Sequence, residues 1–234
     1  MKLLAIDTSG PVCGVAIQTE QGTRCECAVL NKLTHSVNLL PMIDEAFRAT
    51  GLTIADMDRL AVTVGPGSFT GVRIGVSTVK GLAHGADKPC VAVDALEAMA
   101  AGITAFDGVV CPMQDARAGQ VYGAAFRVGS ARPQRLMDDI PLRLEDFLEA
   151  IAAHGDRFLF LGDGMPVHRE KIAAMLGDRA VFAPPHQAYL RPGSVAYLAS
   201  LTEETVDYRE LMPLYLRAPS AERNRKLVEA AHAE

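Results

Sequence analysis

The sequence lacks the features that would place it in a membrane or outside the cell. Its five cysteines are odd in number and form no C-x-x-C pair, so neither a disulfide framework nor a zinc ribbon is indicated. No segment reaches the roughly 18 uncharged apolar residues of a membrane helix, and the apolar run after Met1 is too short for a signal peptide. We therefore expect a cytoplasmic protein without a membrane partner, whose cysteines are small buried hydrophobes.

The chain also lacks the excess of positive charge that nucleic-acid binding requires. Its formal net charge is −5 and no basic stripe runs along the sequence, whereas a protein that binds RNA alone must neutralise several phosphates. Arg223, Arg225 and Lys226 form a small basic cluster in a polar tail, which we interpret as a solvated helix end. If RNA is involved, a partner is expected to carry most of the binding.

Residue patterns typical of catalytic sites are missing as well. The six histidines never form H-x-x-x-H or H-E-x-x-H, the spacings that place two imidazoles on one helical face for a metal ion. His168 and Glu170 match the H-x-E of zinc deaminases, but no cysteine follows Cys111 to supply the other ligands. A nucleophile elbow requires serine at the centre of G-x-S-x-G, where this chain has Phe69. We predict no catalytic residue and no bound metal from these patterns.

Residues 62 to 75 are the most informative segment, because a β-branched strand runs through a glycine turn directly into a helix. Gly65 and Gly67 allow backbone conformations closed to other residues, and Ser68 or Thr70 can cap the helix. Such a turn is structural or presents amides to an anion; we favour the structural interpretation, because a P-loop's Gly-Lys-Ser/Thr is absent. Asp7 ends the first strand, where a carboxylate either faces a hydrated metal ion or forms a turn. The candidates for a cofactor site are therefore Asp7, Gly65, Gly67 and Ser68, although we expect no cofactor.

The order of the predicted elements indicates two related α/β lobes. An antiparallel meander of three strands is followed by alternating helices and strands, which gives a mixed sheet with helices on its faces. A degenerate second copy follows residue 104, and two such copies with a cleft between them form a nucleotide-binding architecture. The predicted strands are 3–7, 12–19, 23–30, 60–64, 91–93, 108–113, 121–127, 135–137, 157–161 and 180–182, and the predicted helices are 36–49, 70–86, 96–101, 144–154, 167–176 and 194–201.

We divide the chain into an N-terminal lobe at 1–103, a second lobe at 104–220 and a polar tail at 221–234. The 194–201 helix belongs to the second lobe in sequence but is free to pack back on the first. A partner is expected to bind the N-terminal lobe.

The helices at 36–49 and 70–86 carry more apolar surface than one sheet can cover. The apolar residues of the first span about half of a helical wheel, against the ~100° stripe that a surface helix needs. Pro41 lies inside it and should kink it or mark its first turn. The second helix adds a polar strip of Arg73, Ser77, Lys80 and His84 and a small-residue row of Ile74, Thr78, Gly81 and Gly85. Either both helices pack only in the core, or their exposed apolar remainder forms a protein–protein interface.

Five motifs, in order and over nearly the full length of the chain, resemble those of the bacterial TsaB family, formerly called YeaZ. They are Asp7-Thr8-Ser9, His35-Ser36-x-x-Leu39-Leu40-Pro41-x-Ile43, Gly65-Pro66-Gly67-Ser68-Phe69-Thr70-Gly71-x-Arg73-x-Gly75, Asp115-Ala116-Arg117-x-Gly119-x-Val121-Tyr122 and Pro213-x-Tyr215-Leu216-Arg217-x-Pro219-x-Ala221-Glu222. The resemblance implies an actin-like ATPase (ASKHA, ribonuclease H-like) α/β fold of two lobes. It also implies a role in making threonylcarbamoyladenosine (t6A) beside the anticodon of tRNAs.

In that family the transfer reaction belongs to a paralogous partner, TsaD, which binds its metal through a His-Met-Glu-Gly-His motif. The comparable positions here hold Ala95 and Met99, neither of which can replace an imidazole at iron or zinc. Gly162-Asp163-Gly164 stands where the partner's adenosine-binding Gly-Gly-Val would be, and its acidic side chain disfavours ordinary ATP binding. The resemblance thus implies a non-catalytic subunit. The alternatives are a glycoprotease-type metallopeptidase and a nucleotide-binding ATPase or phosphotransferase.

The resemblance also implies partners. Family members pair with TsaD through the first two helices of their N-terminal lobes, so we expect the apolar faces of these helices to form the interface. The interface candidates are Leu39, Leu40, Ile43, Phe47, Val72, Val76 and Val79. The ATPase TsaE is expected to join the heterodimer, and tRNA to be bound indirectly through the complex. Whether the chain forms a homodimer when alone stays open.

Overall fold

The computed structural model describes residues 1–31 and 34–217, so the predicted polar tail at 221–234 lies outside the described residues. The first lobe contains five strands and three helices. They are β1 (Leu3–Asp7), β2 (Cys13–Thr19), β3 (Gly22–Val29), α1 (His35–Thr50), β4 (Arg59–Gly65), α2 (Phe69–Ala86), β5 (Cys90–Asp94) and α3 (Ala95–Ala101). Each begins and ends within two residues of its predicted bounds. Pro41 lies in the interior of α1 rather than in its first turn.

The sheet of the first lobe is mixed, as predicted, with the order β3-β2-β1-β4-β5. The central β1 pairs antiparallel with β2 and parallel with β4, because β1 to β3 form a meander whereas β4 and β5 are reached through helical crossovers. All five residues of β1 are buried. Helices α1 and α2 cover one face of this sheet.

The second lobe repeats this arrangement. Its sheet has the order β10-β9-β6-β7-β8, the succession of the first lobe with β6 in the place of β1. The elements are β6 (Val109–Arg117), β7 (Gln120–Arg127), β8 (Gln134–Arg143), α4 (Leu144–Ala152), β9 (Phe158–Leu161), α5 (Gly164–Leu176), β10 (Ala180–Phe182) and α6 (Pro192–Ser200). The degenerate second copy is thereby confirmed.

Two strands of the second lobe are longer than predicted. The prediction ended β6 at Met113 and β8 at Met137, whereas the structure continues them to Arg117 and Arg143. In β8 the polar Asp138-Asp139 pair and Pro141 interrupt the apolar pattern of a strand, but β8 still pairs with β7 because register shifts at Ala125 absorb the irregularity. The tip of the β6–β7 hairpin is formed by Arg117 and Ala118, both with positive φ.

The last helix, α6, packs on the sheet of the first lobe. The ring of Pro192 lies against Gly14 of β2, where a β-carbon would be only 3.0 Å from the ring. Glu26 of β3 accepts hydrogen bonds from Arg191 Nε at 3.1 Å and from the amide of Gly193 at 3.2 Å. With α3, this helix covers the second face of the first sheet, so one hydrophobic cluster contains residues of both lobes. No helix within residues 1–31 or 34–217 is long and apolar enough to cross a membrane.

Residues 202–217, which we call the return segment, run back over the first lobe after α6. Val206 exchanges two backbone hydrogen bonds with Cys90, at 2.9 and 2.8 Å, which extends the edge of the sheet beyond β5. The amide of Leu214 then donates to the carbonyl of Val64 at 2.7 Å, at the end of β4. The first lobe is therefore completed by residues more than a hundred positions away in sequence.

Candidate functional site

The glycine turn between β4 and α2 is packed against the chain itself. A β-carbon on Gly65, whose φ is +127°, would meet the carbonyl oxygen of Leu214 in the return segment, and one on Gly67 would meet the carbonyl of Ser9. The amide of Ser68 donates to that same Ser9 carbonyl at 2.8 Å. The hydroxyl of Ser68 accepts from the amide of Gly71 at 3.3 Å, which confirms the predicted helix cap. The turn thus has a structural role, and the anion-binding alternative stays a prediction.

Replacing Gly65 with alanine is expected to destabilise the fold by about 2–4 kcal/mol. The new methyl group would require a left-handed backbone angle and would collide with the return segment. Urea unfolding measures the change. The control is Gly81→Ala in α2, where a β-carbon meets nothing within 4 Å; it should leave stability unchanged or raise it by up to about 1 kcal/mol. Equal stabilities of the two variants would contradict the role we give to Gly65.

Asp7 lies at the bottom of the interlobe cleft and is fully buried. Its Oδ1 accepts three hydrogen bonds, from the amide and hydroxyl of Ser9 at 2.9 and 2.7 Å and from the Thr63 hydroxyl at 2.6 Å. Its Oδ2 has no hydrogen-bond partner among the described residues. Burial raises the pKa of Asp7 above its ordinary value, and the hydrogen bonds only partly offset this effect. One carboxylate oxygen of Asp7 therefore stabilises the turn through Ser9, and the other has no hydrogen-bond partner among the described residues.

The cleft around Asp7 is closed. The cavity between the lobes has a volume of about 10 Å³, which is room for about one water molecule and far too little for a nucleotide. It is lined by Asp7, Gly10 and Met99 from the first lobe and by Gly162 and Asp163 from the second, among others. Burial raises the pKa of Asp163 to about 6, so this carboxyl is partly protonated near neutral pH.

Ala95 and Met99, which are predicted to correspond to the metal-binding histidines of TsaD, lie in α3. Both are buried in the cluster that joins the lobes, and their side chains carry no nitrogen or oxygen. Within residues 1–31 and 34–217, no three His, Cys, Asp or Glu side chains are grouped so that they could hold a metal ion.

The predicted interface residues on α1 and α2 are mostly internal. Five of the seven lie in the hydrophobic core of the first lobe, at 3% exposure or less; these are Leu39, Ile43, Val72, Val76 and Val79. They cannot contact a partner on the folded surface. Leu40 is 53% exposed and Phe47 is half-buried. A helical wheel gives the width of an apolar face but not the side on which the sheet lies. The predicted set of interface residues therefore contains both core and surface residues.

The sequence did not reveal what covers the polar strip of α2: the return segment lies along it. Lys80 donates to the carbonyl of Leu211 at 3.1 Å, and the His84 ring lies 4.7 Å from that of Tyr208. Near the start of α2, Arg73 Nε donates to the Tyr215 hydroxyl at 2.7 Å. The sequence shows each partner separately, one as the polar strip of α2 and the other as the Pro213-x-Tyr215 motif. Their contact could not be inferred, because about 130 residues separate them.

The uncovered side of α2 carries the small-residue row. A depression of about 380 Å³ lies there, lined by Ile54, Gly81, Leu82 and Gly85 among others. Ile74 and Leu82 are half-buried at the edge of the core, as is Phe47 of α1. Leu40, Phe47, Ile74 and Leu82 are accessible apolar side chains of the two helices, and we call this set the helical seam. Val37, near the start of α1, is exposed as well.

A second feature that the sequence did not reveal joins the lobes by charged groups. Asp94, at the end of β5, and Asp139 of β8 lie beside the same guanidinium, because Arg135 pairs with both carboxyl groups. Beside them, Arg132 binds Glu97 of α3 through two hydrogen bonds, one of them 2.5 Å long. Burial, and next the neighbouring Asp139, raises the pKa of Asp94 to about 8. A neighbouring carboxylate and burial both disfavour the ionised form of Asp94, so this interlobe latch, comprising Asp94, Asp139 and Arg135, is most stable when Asp94 is protonated.

Comparisons with known proteins agree with these features. The family model described as "TsaD: tRNA N6-adenosine threonylcarbamoyltransferase" matches residues 30–225. The "tRNA threonylcarbamoyladenosine biosynthesis protein TsaB" of Bacillus subtilis is 35% identical over 222 residues, covering 95% of this chain and 96% of that protein. The solved structure of YeaZ from Pseudomonas aeruginosa has a TM-score of 0.78 and 25% identity, covering 92% of this chain and 99% of its own. The ethanolamine utilization protein EutJ of Carboxydothermus hydrogenoformans, at a TM-score of 0.52 and 14% identity over 84% of this chain and 89% of its own, shares the fold alone. The two-lobed actin-like ATPase fold is confirmed.

Proposed function

The chain belongs to the TsaB (YeaZ) family, and from that membership we propose that it is a non-catalytic subunit that binds and activates TsaD. The family acts in the biosynthesis of threonylcarbamoyladenosine in tRNA, and this chain has a role in that pathway. In our proposal TsaD carries out the transfer, TsaE joins the pair, and tRNA is bound through the complex.

The helical seam is the observation that carries this proposal. Leu40 of α1 is 53% exposed, and Phe47 of α1 and Ile74 and Leu82 of α2 are half-buried apolar side chains at the edge of the core. An apolar surface between two helices is suited to a partner that presents a similar helical pair, because such faces bury apolar area without leaving backbone groups unpaired. The bare glycines of α2 allow a second helix to approach closely.

The replacement of histidine by Ala95 and Met99 supports the non-catalytic part of the proposal. The Ala95 and Met99 side chains, packed in the core, offer no nitrogen or oxygen ligand at the positions where TsaD is expected to have its histidines. The chain would instead act by binding one conformation of TsaD more tightly than the other, since only differential affinity can shift a conformational equilibrium.

Multi-angle light scattering after gel filtration tests the proposal, with this chain alone and mixed with TsaD of the same organism. We expect a discrete one-to-one species in the mixture that neither protein forms alone. The chain alone also shows whether it self-associates. If the mixture at micromolar concentration elutes as the sum of its components, TsaD is not the partner and the proposal is wrong.

One observation favours a second candidate, nucleotide binding by an opened cleft. The Oδ2 atom of Asp7 is buried without a partner, and it lies where an actin-like fold brings its lobes together. Titration of the chain with ATP and Mg²⁺ in a calorimeter distinguishes this candidate, since a saturable heat that Asp7→Asn removes would support it. We expect no heat, because the cleft would have to open against the packing of α6 and the latch.

A further inference from the structure

Arginine side chains of both lobes lie near the return segment or near the hairpin that it contacts. In the first lobe, the guanidinium of Arg73 lies over the Phe69 ring at 3.8 Å and donates to the Tyr215 hydroxyl. The rings of Phe69 and Tyr215 are 4.9 Å apart, and Tyr215 keeps 40% of its surface exposed. Arg73 is exposed and, among residues 1–31 and 34–217, has no carboxylate partner. This end of the surface is aromatic and positively charged.

The return segment connects this basic and aromatic surface of the first lobe to the second lobe. Two residues after Tyr215, Arg217 donates through Nη1 to the carbonyl of Ala116 at 3.2 Å. Ala116 directly precedes the tip of the β6–β7 hairpin, where the Arg117 side chain is 88% exposed. Arg117 pairs with Gln120, and Gln120 pairs with Arg143, so Arg117 and Arg143 lie at the same end of the second sheet. The Arg143 side chain is 72% exposed.

Together these residues form a basic-aromatic strip, comprising Phe69, Arg73, Arg117, Arg143, Tyr215 and Arg217. Neighbouring carboxylates neutralise the positive charge of this strip only in part. Asp115, with a nearly buried side chain, pairs with Arg117 at 3.2 Å, and Glu145 is 3.9 Å from Arg143 but also binds Lys171. The four arginines are widely separated in sequence, so the strip exists only in the folded chain, whose net charge is −5.

We propose that the basic-aromatic strip binds the phosphate backbone of RNA. Guanidinium groups bind phosphate oxygens through paired hydrogen bonds, and an exposed aromatic ring between them can stack on an unpaired base. A row of cations on both sides of a ring suits a polyanion better than a protein surface of mixed charge. The inference rests on the proposed function in that the RNA is taken to be the tRNA that TsaD modifies. It assigns this subunit direct tRNA contacts, in addition to those made by the partner.

The test is a titration of tRNA against the complex with TsaD, and against the chain alone, at several salt concentrations. The variant Arg117→Gln/Arg143→Gln removes two charges that hold only local ion pairs, so the fold should persist. We expect its tRNA affinity to fall roughly tenfold at low salt, and the slope of log K against log salt to decrease by about one for each phosphate that is no longer bound. Arg117→Lys/Arg143→Lys keeps the charge and should keep the slope.

The matched control is Arg24→Gln/Arg157→Gln, which removes two exposed arginines at the opposite ends of the two sheets. It should bind tRNA as the unaltered protein does. Light scattering of every variant with TsaD separates the two proposals. If the unaltered chain does not pair with TsaD, the proposed function is wrong. The titration of tRNA against the chain alone then still tests whether the strip binds RNA. Unchanged affinity and salt slope in Arg117→Gln/Arg143→Gln overturn the inference. The inference is also overturned if this variant no longer pairs with TsaD while the variant chain alone still binds tRNA as the unaltered chain does. The strip would then be a protein interface.

Discussion

Replacing Leu40 with glutamate is expected to abolish pairing with TsaD while leaving the fold intact. Leu40 is 53% exposed in α1, so a carboxylate there stays hydrated in the free chain. In the complex it would be buried against an apolar partner surface without a counter-charge. A central apolar contact contributes ~2 kcal/mol or more to an interface, so we expect affinity to fall at least about 30-fold. Light scattering of the mixture and thermal unfolding of the chain measure the two effects.

The matched control for Leu40→Glu is Val167→Glu. Val167 is 61% exposed, but it lies on α5 of the second lobe, away from the helical seam. This variant should pair normally, because it changes charge and hydropathy in the same way at a distant site. The interface assignment is wrong if Leu40→Glu pairs as well as Val167→Glu does. A loss of pairing in both would indicate instead that the added charge itself weakens the complex.

The second prediction concerns the interlobe latch: the free energy of unfolding should decrease as pH rises from about 4 to about 8. The pKa of Asp94 is about 8 in the folded chain against an ordinary value of 3.8, so in this range the folded chain holds a proton that the unfolded chain has released. The contribution of Asp94 to the free energy of unfolding is fully present below about pH 4, and it is lost as the pH rises through about 8. At ~1.4 kcal/mol per pH unit, the upper bound is about 6 kcal/mol. Asp163 and Asp7 contribute in the same direction, because burial raises their pKa values too.

Urea unfolding at pH 5 to 9 of the unaltered chain and of Asp94→Asn isolates the latch. The asparagine amide can donate to Asp139 as the protonated carboxyl does, and its oxygen can still accept from the amide of Glu97. We expect the pH dependence to become shallower in this variant. Asp138→Asn, at an exposed neighbour of Asp139 in β8, should leave it unchanged. Parallel curves for all three proteins would contradict the raised pKa of Asp94.

The sequence predicted local structure and topology better than the site. Strand and helix periods identified both sheets, and the Ser68 cap follows from one serine before an apolar helix. Burial on α1 and α2 was not predictable, because the assignment of Leu39 to the core and of Leu40 to the surface depends on where the sheet lies. The latch was not predictable either, since Asp94 and Asp139 belong to different lobes and neither has a distinctive sequence context.

The return segment has a consequence for how the protein is made. Val206 completes the edge of β5, Leu211 accepts from Lys80, and Leu214 closes over the glycine turn. A ribosome adds about 5–20 residues per second, so the first hundred residues emerge several seconds before these contacts are available. During that interval the nascent first lobe has an open sheet edge and an uncovered helix. A fragment ending at residue 103 would keep these surfaces permanently, and we expect it to be recovered as aggregate rather than as an independent domain.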